Sequence, residues 1–129
     1  MLFPPVCAFC EKKSKEHLCK KCESQLNISN SCKVDKILGK YFEEHAYMLR
    51  YDGMVRDKIL SYKFDGKSYM YKTFSKIILN SKKICDILET YDIIVPVPIH
   101  KKRRTERGYN QSELIAKEIA KNISGLMYA

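Results

Sequence analysis

The chain has 129 residues and a mass of 15.1 kDa, room for one domain or one domain with a small appendage. It is 45% hydrophobic and 30% charged, which excludes wholesale disorder, and its apolar runs, such as Ile93-Ile94-Val95, fall far short of the about 20 residues a membrane span needs. Lys and Arg outnumber Asp and Glu by 24 to 15, a net charge of +9 spread along the chain, a balance that suits a polyanionic partner.

The opening MLFPPVC has no basic n-region, no adequate apolar stretch and no small-residue cleavage site. No signal peptide is expected, and a cytoplasmic protein is. Five of the six cysteines lie in the first 32 residues, and four of them form Cys7-x2-Cys10-x8-Cys19-x2-Cys22. Two thiolates three residues apart can face one metal from a tight knuckle, and two knuckles complete a tetrahedral Zn2+ site. Four protein ligands leave no position for water, so the zinc is expected to be structural. A redox pair or buried thiols is the alternative reading, and His17 could replace a sulfur. Residues 1–32 are too few to bury much core, so metal binding must supply folding energy there.

A short helix is expected over 20–28, then a weakly patterned, charged connector over 33–44. Ala46, Met48 and Tyr51 suggest a strand, ended by Asp52-Gly53. Met54, Val55, Ile59, Leu60 and Phe64 recur at helical spacing and predict an amphipathic helix that Asp65-Gly66 stops. Met70, Phe74, Ile77 and Ile78 predict a second helix of about 14 residues. Cys85, near Ile84 and Ile87, reads as a small core residue. The run YDIIVPVPI, 91–99, lacks polar alternation and reads as a parallel strand buried on both faces, ending near Pro96 and Pro98. A basic loop follows over 100–109, carrying Lys101, Lys102, Arg103, Arg104 and Arg107. Gly108 permits a positive φ or close approach of a ligand. Asn110 is a candidate N-cap, with Glu113 placed to complete a capping box. Ile115, Ala116, Ile119, Ala120 and Ile123 form the apolar face of the next helix, Gly125 is a candidate helix stop, and Leu126 onward opens another strand. The pattern is the first half of a βαβ unit.

Ligands of open α/β sheets bind beyond the carboxyl ends of strands, and helix N-termini attract anions. The basic loop and the Asn110 helix start meet there, which predicts a phosphate site, with a solvated surface loop as the plain alternative. Arginine suits phosphate because its fork makes two parallel hydrogen bonds.

The block VPVPIHKKRRTERGYNQSELIAKEIAK resembles the signature of the competence protein ComF family of phosphoribosyltransferase-like proteins. The N-terminal Cys-x-x-Cys pairs resemble that family's zinc finger, and Tyr62-Lys63-Phe64-Asp65-Gly66 resembles its Lys-Phe/Tyr-x-Gly segment. The resemblance covers nearly the whole chain and implies an α/β fold: a four-cysteine zinc-binding module at 1–32, then, at 33–129, the incomplete first part of a type I phosphoribosyltransferase-like parallel-sheet domain. It further implies that Arg103, Arg104, Arg107, Gly108, Asn110 and Gln111 handle pyrophosphate-type anions, with Lys63 a weaker carry-over that also reads as a surface lysine. Asn110 and Gln111 would bond the ligand or merely cap the helix. The implied partners are single-stranded DNA, phosphoribosyl pyrophosphate or similar anions, and DNA-uptake or recombination proteins, with Mg2+ accompanying phosphoribosyl pyrophosphate in a full-length form.

The family's later strand, ending in two acidic residues before a Thr-Thr-Gly turn, has no counterpart. The one adjacent acidic pair is Glu43-Glu44 in the connector, and no two threonines adjoin. The ribose-phosphate half of the site is therefore expected to be missing, as in a truncated member without transferase activity. The alternatives are a stand-alone zinc-ribbon module that binds nucleic acid, its nine tyrosines stacking bases, and a protein-interaction module whose partner completes the sheet.

Overall fold

The computed structural model describes residues 5–26, 32–36 and 41–129. The first four residues, the end of the helix expected over 20–28 and part of the 33–44 connector lie outside the described residues.

The N-terminal knuckles form as their spacing predicts. A single antiparallel bridge joins Val6 to Lys13, and inside it the Glu11 N–H donates to Cys7 O at 2.9 Å, closing a tight turn. Cys19 caps the first helix, α1 (Lys20–Gln25). Strands β1 (Lys33–Lys36) and β2 (Glu44–Tyr47) then pair antiparallel, Val34 opposite Ala46. β1 lies in the stretch read as a connector. Its side chains alternate too weakly to announce a strand, because both faces are largely exposed and backbone pairing alone holds it.

Helix α2 (Gly53–Phe64) ends at Asp65 and Gly66, the latter at φ +68, a conformation glycine reaches without steric cost. The second helix is shorter than expected. A 3-10 turn, Ser68–Met70, leads into α3 (Tyr71–Leu79), and Ser81 breaks the run and caps α4 (Lys82–Leu88), its Oγ accepting from Ile84 N–H at 3.3 Å. Strand β3 (Ile93–Ile94) pairs parallel with β4 (Met127–Tyr128), and α6 (Gln111–Asn122) connects them, packed along α3. The fold is thus mixed α and β, with a four-cysteine cluster at one end and a small parallel sheet at the other. No helix among the described residues is long and apolar enough to cross a membrane.

Two expectations are corrected here. The strand at 91–99 is reduced to two residues and is not buried on both faces: Ile93, Val95 and Val97 are 53%, 69% and 73% exposed. β3 has one neighbour among the described residues, helices cover one side of it, and Pro96 and Pro98 have no N–H for a ladder. The stretch 100–109 is not a loop but mostly a helix, α5 (Lys101–Arg107). Its Lys, Arg and Glu residues are good helix formers. His100 Nδ1 accepts from Lys102 N–H at 3.2 Å at its start, and Gly108, at φ +81, ends it by donating to Arg104 O at 2.8 Å.

The main core joins Cys7, Phe9, Leu18 and Cys22 to Met48, Val55, Tyr62, Met70, Phe74 and Ile77. Packing therefore crosses the division expected between residues 1–32 and 33–129. Phe9 meets Phe74 edge-on at 6.2 Å, Phe74 meets Tyr62 at 5.4 Å, and Tyr62 meets Tyr109 at 5.6 Å, a row of rings running from the knuckles to the start of α6. Partly exposed ion pairs, Lys76–Glu16 at 2.8 Å and Lys58–Glu11 at 3.7 Å, add little to that apolar contact. A smaller core under the sheet gathers Ile119, Ile123 and Leu126, with Cys85 beside it donating its S–H to Leu79 O at 3.2 Å.

Candidate functional site

The four knuckle thiols converge. The sulfurs of Cys7, Cys10, Cys19 and Cys22 all lie within 4.8 Å of one another, and Cys10 and Cys19 are 3.8 Å apart. Ligands about 2.3 Å from a tetrahedral zinc would stand about 3.8 Å apart, so the cage has the right size for that ion. The backbone is arranged for thiolates: Cys19 N–H donates to Cys7 Sγ at 3.3 Å, and Cys22 N–H to Cys19 Sγ at 3.5 Å. Burial works against a charged Cys7, but backbone N–H groups from Cys10, Cys19 and Phe9 outweigh it and bring the thiol down to about 6. Burial, and then the neighbouring thiols, push Cys22 up to about 12. Four sulfurs crowded this closely need a cation between them to ionise together, and an all-thiolate set fits structural Zn2+. His17 is exposed, and the four sulfurs complete the cluster without it. Among the described residues no second group of three metal-ligating side chains occurs, so the Mg2+ expected with phosphoribosyl pyrophosphate finds no carboxylate set here.

The basic residues gather about α5 and the first turn of α6. Arg103 and Arg107 form a shared wall between two hollows. One, of about 480 Å³, is lined by Val97, Pro98, Ile99, His100, Gln111 and Ser112 and opens at the start of α6. The other, of about 420 Å³, is lined by Lys63, Phe64, Gly66 and Glu106. Arg107 is held from two sides: its Nη1 donates to Gln111 Oε1 at 3.1 Å, and its guanidinium lies 4.8 Å from the centre of the Phe64 ring. The backbone at Gln111 is held in turn, its main-chain carbonyl accepting from Tyr62 Oη at 2.7 Å.

The remaining sequence candidates are divided between site and scaffold. Arg104 is in neither hollow; its Nη1 is 3.2 Å from Glu113 Oε2. Glu113 also accepts from Lys117 Nζ at 2.8 Å, and that bond, ahead of the nearby Arg104 charge, holds its carboxyl below the ordinary range despite partial burial. Glu113 therefore does not complete the capping box. Asn110 is buried and bonded at both ends of its amide: Oδ1 accepts from Ser112 N–H at 3.1 Å, and Nδ2 donates to Val97 O at 3.2 Å. It caps α6 and ties it to the chain after β3. Gly108 serves the helix end.

Phe64 is the residue the sequence reading misplaced. The buried face of α2 is set by Val55 and Tyr62, whereas Phe64, nine residues after Val55, comes about half a turn round at about 100° per residue. Its ring is 63% exposed and faces the basic hollow. The phase of Val55 and Tyr62 was the signal that could have shown this.

Comparison with known proteins bears on the zinc cluster and on the chain as a whole. Residues 1–49 match the double zinc ribbon domain family. The competence protein ComFC of Bacillus subtilis (strain 168) is 28% identical over 131 residues, covering 86% of this chain and 50% of the relative. The chain spans about half the length of that curated homologue. No solved structure matches it. The resemblance to the competence family drawn from the sequence is met by this homology over most of the chain.

Proposed function

We propose that this chain is a competence-related protein that binds phosphate-bearing ligands, single-stranded DNA foremost, in the two hollows about Arg103 and Arg107, on a scaffold fixed by structural zinc. The observation that carries this reading is the sharing of Arg103 and Arg107 between adjoining hollows at the start of α6. A pair of arginines between two spaces suits successive phosphates of one strand, and the free N–H groups of a helix start favour the same charge. The homologue is itself named a competence protein, which supports the biological setting. The same hollows would admit pyrophosphate.

The test is fluorescence anisotropy of a labelled single-stranded oligonucleotide over a salt series, with zinc-loaded protein. The double variant Arg103→Ala/Arg107→Ala should bind more weakly and lower the log–log salt slope by about 1.4, at about 0.7 per phosphate contact. Its melting temperature should change little. Unaltered binding with a collapsed melting temperature would show these arginines to be structural and refute the reading.

A further inference from the structure

We infer that Phe64 is a stacking platform that accepts a nucleobase, so that the ligand of the basic hollows carries a flat ring next to its phosphate. The inference rests on the anion-binding reading above and names the part of the ligand that phosphate chemistry leaves open.

Three observations carry it. First, a large aromatic side chain at the end of α2 is 63% exposed although the same helix buries Val55 and Tyr62 nearby. The ring belongs to neither core cluster. Second, it is not an isolated surface ring. It lines a hollow of about 420 Å³ together with Lys63, Arg103 and Arg107, three cations facing one carboxylate, Glu106. Third, the ring is held in place. The Arg107 guanidinium sits 4.8 Å from its centroid and donates to Gln111 Oε1, and the main-chain carbonyl of Gln111 is bound by the buried Tyr62. Arg107 occupies one side of the ring, and the ring's exposure leaves the rest of it open to the hollow.

A preoriented ring beside cations answers the two parts of a nucleotide with two kinds of contact. The phosphate meets Arg103, Arg107 or Lys63, and the base lies on the phenyl face, as in single-strand binders where aromatic platforms alternate with basic side chains. Every base has a π-face, so this contact confers affinity with little sequence preference. A bare phosphate or pyrophosphate gains from Phe64 only through the Arg107 it steadies, a gain common to every probe, so the ratio of base-bearing to abasic affinity isolates the stacking contribution. Since Arg103 and Arg107 also wall the second hollow, a strand can pass from one to the other across the same pair of guanidinium groups.

The experiment compares three probes on the zinc-loaded full chain: a short oligothymidylate, an abasic oligomer of the same length and charge, and inorganic pyrophosphate as a competitor. Wild type should prefer the thymidylate to the abasic strand by about tenfold, the order that one stacked base contributes. Phe64→Leu keeps an apolar side chain at an exposed position. It should abolish that preference, any loss from the loosened Arg107 falling alike on all three probes, and Phe64→Trp should restore it. Equal wild-type binding of the two oligomers, or a preference for the thymidylate that persists undiminished in Phe64→Leu, would overturn the stacking role and leave anion binding standing. Failure of wild type to bind pyrophosphate or either strand would overturn both.

Discussion

Replacing Phe9 tests whether the knuckles and the helices are one cooperative structure. Phe9 is 3% exposed and is the ring by which the zinc-binding turn reaches Phe74, and through it Tyr62 and Tyr109. Phe9→Ala removes a buried aromatic side chain, a change that costs about 3–5 kcal/mol in a protein core, of which the edge-on pairing with Phe74 is about 1 kcal/mol. For a chain of this length each kcal/mol lowers the melting temperature by about 3–5 °C, so the expected fall is about 9–25 °C. Phe9→Leu keeps most of the apolar volume and should cost about 1 kcal/mol. The assay is guanidinium unfolding of zinc-loaded protein followed by two probes: far-ultraviolet circular dichroism for the helices, and a chromogenic chelator for zinc release. Because Cys7, Cys22 and Phe9 share a core with Val55, Met70 and Phe74, both midpoints should fall together in both variants. A zinc-release midpoint that moves while the helical transition stays fixed would refute the shared core and restore two separately folding units.

Two further outcomes follow from single contacts. Glu113 has its carboxyl held down by Lys117 and Arg104, so its share of stability is present above the ordinary carboxylate range, about 4 to 4.5, and is lost as the pH falls through that range toward the lower folded value. Melting temperature measured against pH should therefore fall less steeply on the acid side for Glu113→Gln than for wild type; parallel curves would show the pairing to be inconsequential. Asn110→Ala removes both the cap of α6 and the bond to Val97 O and should cost about 1–3 kcal/mol by denaturant titration, whereas Asn110→Asp keeps the cap and should recover about half.

The parts of this protein legible in its sequence are those with local causes. The cysteine spacing sets the metal cage because each knuckle is a turn of a few residues. Helices α2 and α6 show in their apolar periodicity, and Asn110 announces a cap that does form. What stayed hidden depends on partners distant in the chain. β1 exists through backbone pairing with β2 and carries almost no side-chain pattern. α5 has no apolar face, so its seven residues read as charge rather than as helix until His100 and Gly108 are seen closing its two ends. Arg104 looks equivalent to Arg103 and Arg107 in the sequence; only the fold brings it to Glu113. Phe64 has the composition of a core residue and the phase of a surface one, and the phase decided its place.

Pro96 and Pro98 bear on solubility. The segment from Ile93 to Val97 is apolar, exposed and extended from a strand that has a single neighbour among the described residues, the kind of edge onto which a second polypeptide can add by backbone pairing. The backbones of Asp92 and Ile94 face β4, so the outward donors are those of Ile93 and Val95, and beyond them each proline fixes φ at about −65°, off the strand value, so that a growing ladder meets a chain that has left strand geometry. The residues that shorten β3 thereby act as gatekeepers against fibrillar association, and the chain can present this hydrophobic stretch without offering it as a template for self-assembly.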